Sequence, residues 1–304
     1  MPIPFFIVGP TSVGKTALAA EVARRCNGEI VSADAFQVYR GLDILTAKPG
    51  RGLRAEIPHH LVDVTPVSLN FDAGQFLVAA RRAMDDIAAR GKLPIVAGGT
   101  GLYIRALTHG LAGLPKADSV LRSELERMEL NELQQRIARL DPATGGLIDL
   151  KNKRRLVRAI EVCILTGRPF SEFRREWQTP AKAAGIFLTR DRDDLHKRID
   201  ERVEEMFETG VVEEIGSLEA PSQTARQAIG WKEVKAYLDG QIDLALCMEE
   251  IKRATRKYAK RQLTWFRRQA NFEAINLSFY HLDFESAVEL IVRRAASSLA
   301  PADV

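Results

Sequence analysis

The most constraining feature of this chain is the run Gly9-Pro10-Thr11-Ser12-Val13-Gly14-Lys15-Thr16, which meets G-x-x-x-x-G-K-[ST] at every fixed position. Residues 3–8 before it form an apolar, strand-like run, and residues 17–25 after it read as a helix. A strand, a glycine turn and a helix in that order make a phosphate-binding loop. The glycines let successive backbone N–H groups turn inward as an anion nest, and the helix N-terminus adds its partial positive charge. Lys15 supplies a full charge, and Thr16 offers a hydroxyl to a magnesium ion carried by the phosphates. By itself the loop suits a hydrolase, a kinase or any enzyme that holds a diphosphate.

The rest of the chain must build around that unit. Residues 29–32 read as a second strand, 34–48 as loop, and 76–90 as a helix through Phe76, Leu77, Ala80, Ala83, Met84 and Ile87. Residues 95–97 read as a buried strand ending in Gly98-Gly99-Thr100-Gly101. Strands alternating with helices predict an α/β fold: a P-loop NTPase-like, mainly parallel sheet flanked by helices. Past Pro115 the pattern changes. Residues 119–140 are charged and helical, 154–165 are amphipathic, and no strand signal returns until 185–189. The expected division is a catalytic core of residues 1–114 and 184–304 with an inserted all-helical domain at 115–183. Helices are expected at 193–208, 245–268 and 284–299, with a last strand near 279–282.

Composition excludes more than it assigns. The 304 residues carry 44 Lys+Arg against 40 Asp+Glu, a net charge of +4, as in an ordinary globular protein. No stretch approaches the ~18 apolar residues of a membrane span. The N-terminus lacks the basic segment of a secretory signal, and Pro2 excludes N-myristoylation. Cys26, Cys163 and Cys247 are odd in number and far apart, which suits a reducing cytoplasm better than a disulfide framework or a zinc site. His59 and His60 lack acidic or cysteine partners at ligand spacing and read as structural.

After the second strand stands Ser32-Ala33-Asp34-Ala35-Phe36-Gln37-Val38-Tyr39. In a parallel sheet the carboxyl ends of the strands line the ligand crevice. Asp34 should therefore lie near the phosphate loop, as a partner of magnesium-bound water, a general base, or simply a turn residue. Further runs follow in order: Thr46-Ala47-Lys48-Pro49, Pro58-His59-His60-Leu61 and Gly98-Gly99-Thr100-Gly101-Leu102-Tyr103. Beyond them come Arg154-Arg155-Leu156-Val157-Arg158, Gln227-Ala228-Ile229-Gly230-Trp231-Lys232 and Lys260-Arg261-Gln262-Leu263-Thr264-Trp265-Phe266-Arg267. Together with the loop, these resemble the tRNA dimethylallyltransferase family from Gly9 to about Arg268. The chain departs from that family at Ala35, where Ser is usual, and at Gln227, where some members have Arg.

The resemblance implies an activity and a site. A dimethylallyl group would pass from dimethylallyl diphosphate to N6 of adenosine 37 in tRNAs reading codons that begin with U, with Mg2+ as cofactor. It gives Asp34 as the base, Thr100 beside the amine or diphosphate, Lys15 against the leaving group, and Thr16 toward the magnesium. It makes Gly9, Pro10, Thr11, Ser12, Val13, Gly14, Lys15 and Thr16 the diphosphate site. Its tRNA contacts would be Asp34, Ala35, Phe36, Gln37, Thr100 and Arg122, then Arg154, Arg155, Leu156, Val157 and Arg158. Gly230, Trp231 and Lys232 follow, and last Lys260, Arg261, Gln262, Leu263, Thr264, Trp265, Phe266 and Arg267. Arg198 and Arg202 either brace the diphosphate or pair with Asp200 and Glu205.

Between Lys252 and Arg268 there are eight basic residues and no acid. On a helix Arg253, Arg256, Lys257, Lys260, Arg261 and Arg267 share one side, while Ile251, Ala254, Tyr258 and Trp265 occupy another. Such a face either meets a polyanion or is balanced by acids from elsewhere. A second cluster, Lys151, Lys153, Arg154, Arg155 and Arg158, lies in the helical insertion. Two basic surfaces suit the phosphates of an anticodon stem-loop, whose target base must leave the stack to react. Trp231 either packs or stacks on a base, and Trp177 reads as packing. Two other classes compete. A small-molecule kinase would not need the basic helix, and an RNA-binding NTPase switch would turn over ATP without modifying RNA. The expected protein is cytoplasmic, free of the membrane and monomeric.

Overall fold

The computed structural model describes residues 3–111, 113–176, 183–268, 272–279 and 283–299, so Trp177 lies outside the described residues. Its six strands are β1 (Phe5–Val8), β2 (Gly28–Ala33), β3 (His59–His60), β4 (Leu93–Gly98), β5 (Ala184–Thr189) and β6 (Glu273–Asn276). They form one sheet in the order β3-β2-β4-β1-β5-β6, and every pairing is parallel. Period-two alternation divides the strands between two apolar layers. Phe5, Ile7, Ile30, Ile95, Ile186 and Leu188 pack on one face with Leu18 and Val22 of the helix Lys15–Arg25. Phe6, Val8, Val31, Val96 and Phe187 pack on the other with Phe76, Ala80 and Met84 of the helix Ala73–Ala89.

Several elements differ from expectation for identifiable reasons. The last strand among the described residues is Glu273–Asn276, with Ile275 buried against the sheet; of the strand expected at 279–282 only Phe279 is described, and it is 56% exposed. Residues 280–282 lie outside the described residues. The stretch 119–140 is two helices, Ser119–Arg127 and Leu130–Leu140, because Glu132 accepts a hydrogen bond from the Glu129 N–H (2.9 Å) and starts a new helix there. Gly101–His109 is helical although it opens on glycine.

The described residues fall into two compact units, residues 1–107 with 182–304 and residues 108–181. Among the described residues the second contains helices and a 3₁₀ turn and no strand, and packs on Leu125, Leu133, Ile137, Leu156 and Ile160. Glu161 is fully buried inside it and holds Arg122 and Arg158 at 2.6 Å each, together with the Asp118 N–H at 2.9 Å.

Candidate active site

Register brings the site together. Val8 is paired with Gly98 and Gly98 with Ala33, so β1, β4 and β2 end at one level. The next residues along each chain, Gly9, Gly99-Thr100 and Asp34, therefore leave the sheet side by side. The Gly9 N–H reaches the Gly98 carbonyl (3.3 Å), and the Thr100 N–H reaches that of Ala33 (3.2 Å).

The phosphate loop turns through left-handed backbone at Ser12 (φ 60°) and Gly14 (φ 102°), and the helix starts on Lys15. Gly9 has no room for a side chain, since a Cβ would lie 2.7 Å from the Leu188 carbonyl oxygen. Several long side chains grip the loop. Arg198 Nε donates to the Ser12 carbonyl (3.0 Å), Arg190 Nε to that of Val13 (2.9 Å), and Arg202 Nη1 to Thr11 Oγ1 (2.6 Å). Lys15 Nζ rests on the Pro10 carbonyl at 2.5 Å. Asp200 is held by Arg256 (2.5 Å), while Arg198 and Arg202 reach the phosphate loop itself.

Burying these cations lowers their proton affinity. Burial pushes Lys15 down to about 7, with Asp34 opposing the shift and the like charge of Arg202 adding to it. Burial likewise pulls Arg202 below its ordinary range, against the charges of Asp34 and Glu205. An arriving dianion would relieve both.

Asp34, Lys15 and Thr16 line one pocket with Ser32, Gln37 and His59. Asp34 Oδ1 caps its own turn by accepting the Phe36 N–H (2.9 Å), as the turn reading expects, and the residue also lines the pocket. Thr100 Oγ1 accepts the Ala35 N–H (3.0 Å) and fixes the Asp34 turn against the β4 loop. Gln37 is held by Ser32 Oγ (2.9 Å). Burial, and then the charge of Asp34, raise the Tyr258 phenol well above its usual range, so it stays protonated.

Among the described residues no group of three or more His, Cys, Asp or Glu is placed to hold a metal. The pocket instead suits a hydrated magnesium brought by a diphosphate. Thr16 offers its hydroxyl, and His59 offers an acceptor for water: its Nδ1 lies 2.6 Å from the Ile57 carbonyl, while its buried Nε2 has no hydrogen-bond partner. Burial keeps that imidazole neutral.

The expected RNA surface is corrected at several positions. Leu156 and Val157 are buried in the helical unit, and Trp231 and Phe266 are buried in the other, so their side chains pack and do not face RNA. Arg122 and Arg158 hold Glu161, while Arg154 and Arg155 stay exposed. Gly230 (φ 96°) caps the helix Trp231–Leu238, and a Cβ there would meet Leu45 at 2.8 Å. Lys232 is exposed beside Glu233 (3.4 Å). On the helix Leu244–Arg268, Lys260, Arg261, Thr264 and Arg267 are exposed, and the Arg261 guanidinium lies 5.6 Å from the Tyr258 ring centroid. Leu263 and Trp265 are half-buried. The buried stripe of this helix runs Ile251, Thr255, Ala259, Gln262, Phe266, not along Ala254 and Trp265. Sequence reasoning missed the inward role of Gln262 and the contact of Arg190 with the loop. The only available signal for Arg190 was its place directly after β5.

Fold and site together define an α/β phosphate-loop protein whose anion nest faces a carboxylate at the end of the adjoining strands. Within that class, residues 37–269 match the IPP transferase family and residues 3–60 the isopentenyl transferase family. The chain belongs to the IPP transferase family. It is 44% identical over 290 residues to the tRNA dimethylallyltransferase of Geobacter sulfurreducens, covering 89% of this chain and 93% of that one. The tRNA dimethylallyltransferase of Akkermansia muciniphila is 41% identical over 264 residues, covering 87% and 90%. Among solved structures, the full-length tRNA isopentenylpyrophosphate transferase of Bacillus halodurans has a TM-score of 0.74 at 37% identity, covering 98% of this chain and 97% of that one. A eukaryotic dimethylallyltransferase acting on tRNA has a TM-score of 0.77 at 28% identity, covering 91% and 74%.

Proposed function

We propose that this chain transfers the dimethylallyl group of dimethylallyl diphosphate to N6 of adenosine 37, next to the anticodon, in tRNAs that read codons beginning with U. The observation that carries the reading is the shared pocket of Lys15, Thr16 and Asp34, which sets a base beside an anion nest. In the reaction the allylic C–O bond breaks with its electron pair leaving on the diphosphate. The N6 nitrogen forms the new C–N bond, and its proton passes to Asp34. Charge grows on the departing diphosphate, so the loop amides, Lys15, Arg198 and Arg202 favour the transition state over the ground state. The N6 lone pair is delocalised into the ring, and proton acceptance by Asp34 compensates for that weak nucleophilicity. Thr100 holds the Asp34 turn in place through Ala35. Magnesium would be held by Thr16 and the substrate oxygens, with His59 accepting from a bound water, and would neutralise leaving-group charge.

RNA phosphates would meet Lys260, Arg261 and Arg267 on the long helix, and Arg154 and Arg155 in the helical unit. The target base leaves the loop stack to reach the pocket. No described helix is long and apolar enough to cross a membrane. With Cys26, Cys163 and Cys247 all free, we take the cytoplasm as the compartment and a monomer as the working unit.

The test is incubation with labelled dimethylallyl diphosphate, magnesium and unmodified tRNA, followed by nucleoside analysis. The expected product is N6-(dimethylallyl)adenosine at position 37 with intact diphosphate released. Unlabelled RNA together with phosphate release from ATP would contradict the reading and favour a nucleotide-hydrolysing switch.

A further inference from the structure

Gln262 lies in the middle of the basic helix, where its neighbours Lys260, Arg261 and Thr264 are exposed, yet its own side chain is only 6% exposed. Both ends of its amide are engaged. Oε1 accepts the Thr11 N–H at 2.9 Å, and Nε2 donates to the Gly99 carbonyl at 2.8 Å. One side chain therefore ties the phosphate loop after β1 to the loop after β4, which carries Thr100. The packing around it leaves no slack. A Cβ on Gly99 would fall inside the Gln262 amide and 2.8 Å from the Gly9 carbonyl oxygen. A Cβ on Gly101 would lie 2.6 Å from the Trp265 indole. Only glycines let the helix come this close to the loops.

The chemistry of the tie is specific. The Gln262 amide carries an uncharged acceptor and an uncharged donor side by side at the end of a long stem, so it accepts from one backbone N–H and donates to one carbonyl at the same time. Glutamate at neutral pH would keep the acceptor but set a negative charge against the Gly99 carbonyl and beside the nest. Methionine would keep the length and lose both bonds.

We propose that Gln262 is a positioning residue for the diphosphate donor: it fixes the Thr11 end of the phosphate loop relative to the Gly99-Thr100 loop and takes no part in RNA contact. This rests on the proposed function for the identity of the donor, but the geometry of the tie does not.

The test uses the full chain with two probes, inorganic pyrophosphate with magnesium and an anticodon stem-loop RNA. Gln262→Met is expected to weaken pyrophosphate binding about tenfold, Gln262→Glu more than that, and both to leave stem-loop affinity within twofold of wild type. In turnover the donor KM should rise more than kcat falls. A purely structural role would lower thermal stability without that rank order and without sparing RNA affinity. In the unsubstituted protein, hydrogen exchange of the Thr11 amide should be slow without ligand, a readout that survives if a variant fails to fold. Fast exchange there, unchanged pyrophosphate affinity in both variants, or a stem-loop loss as large as the pyrophosphate loss overturns the proposal. If wild type binds the stem-loop but not pyrophosphate, the donor reading falls and takes this assignment with it.

Discussion

The two halves of the helix Leu244–Arg268 both carry cations and hold them differently. In the first half Lys252 pairs with Glu204 (2.9 Å) and Glu249 (3.3 Å), Arg253 with Glu250, and Arg256 with Asp200 (2.5 Å). In the second half Lys260, Arg261, Arg267 and Arg268 are exposed and make no ion pair among the described residues. The acid-balanced reading of the basic run thus holds for the first half of the helix. In the first half acids of the same helix (Glu249, Glu250) and of the helix Arg192–Glu208 (Asp200, Glu204) engage the cations; the exposed cations of the second half have no such partner among the described residues, which leaves their charge to a polyanion in the proposed reading. The helical unit repeats the lesson at shorter range. Glu161 holds Arg122 and Arg158 on its buried carboxylate, while Arg155 on the same helix is exposed.

The largest expected effect separates chemistry from binding altogether. Asp34→Ala should lower turnover by ~10²–10⁴ while tRNA affinity, measured by filter binding, stays unchanged, because proton acceptance from N6 belongs to the chemical step. Survival of turnover would remove Asp34 from the mechanism. Next, Lys260→Ala with Arg261→Ala should weaken stem-loop binding by about tenfold or more and reduce its salt slope by roughly 2. A third effect is set by pH. Lys15 stands at about 7 in the free loop, below its ordinary range, so above that pH it is neutral and a bound dianion must restore its proton. Affinity for an unreactive thio-diphosphate analogue of the donor should therefore fall by up to about tenfold per pH unit above 7 and level off below it. Calorimetry in buffers of different ionisation enthalpy should detect the proton uptake, and Lys15→Met should abolish the slope. The smallest effect completes the comparison. Lys252→Ala with Arg253→Ala should leave stem-loop affinity within about twofold, since those charges are already neutralised. A loss equal to that of the Lys260 and Arg261 pair would erase the distinction between the halves.

Much of the sheet was legible because its signals are local. A short apolar run ending in glycine identifies β1 and β4 from their own residues, and for β1 the helix after the glycine turn adds to the signal. What escaped was set by other parts of the chain. β3 is two residues long, too short to show alternation, and forms because β2 offers it an edge. Glu273–Asn276 has one buried residue and is placed by β5. At the site, Gly9–Thr16 and Asp34 could be named from order along the chain, since strand ends determine the crevice. Gln262 could not, because a glutamine among lysines and arginines gives no sign that it turns inward. Leu156, Val157, Trp231 and Phe266 were misread for the opposite reason: each is a core residue within a run whose polar neighbours face solvent.

The central claim is that the glycine loop grips a diphosphate that departs as the allylic carbon migrates to nitrogen. A crystal structure with the thio-diphosphate analogue bound tests it most directly. The account predicts the two phosphates on the amides of residues 9–16, in contact with Lys15, and the allylic carbon directed toward Asp34. An empty loop, with the analogue held elsewhere on the protein, would contradict it.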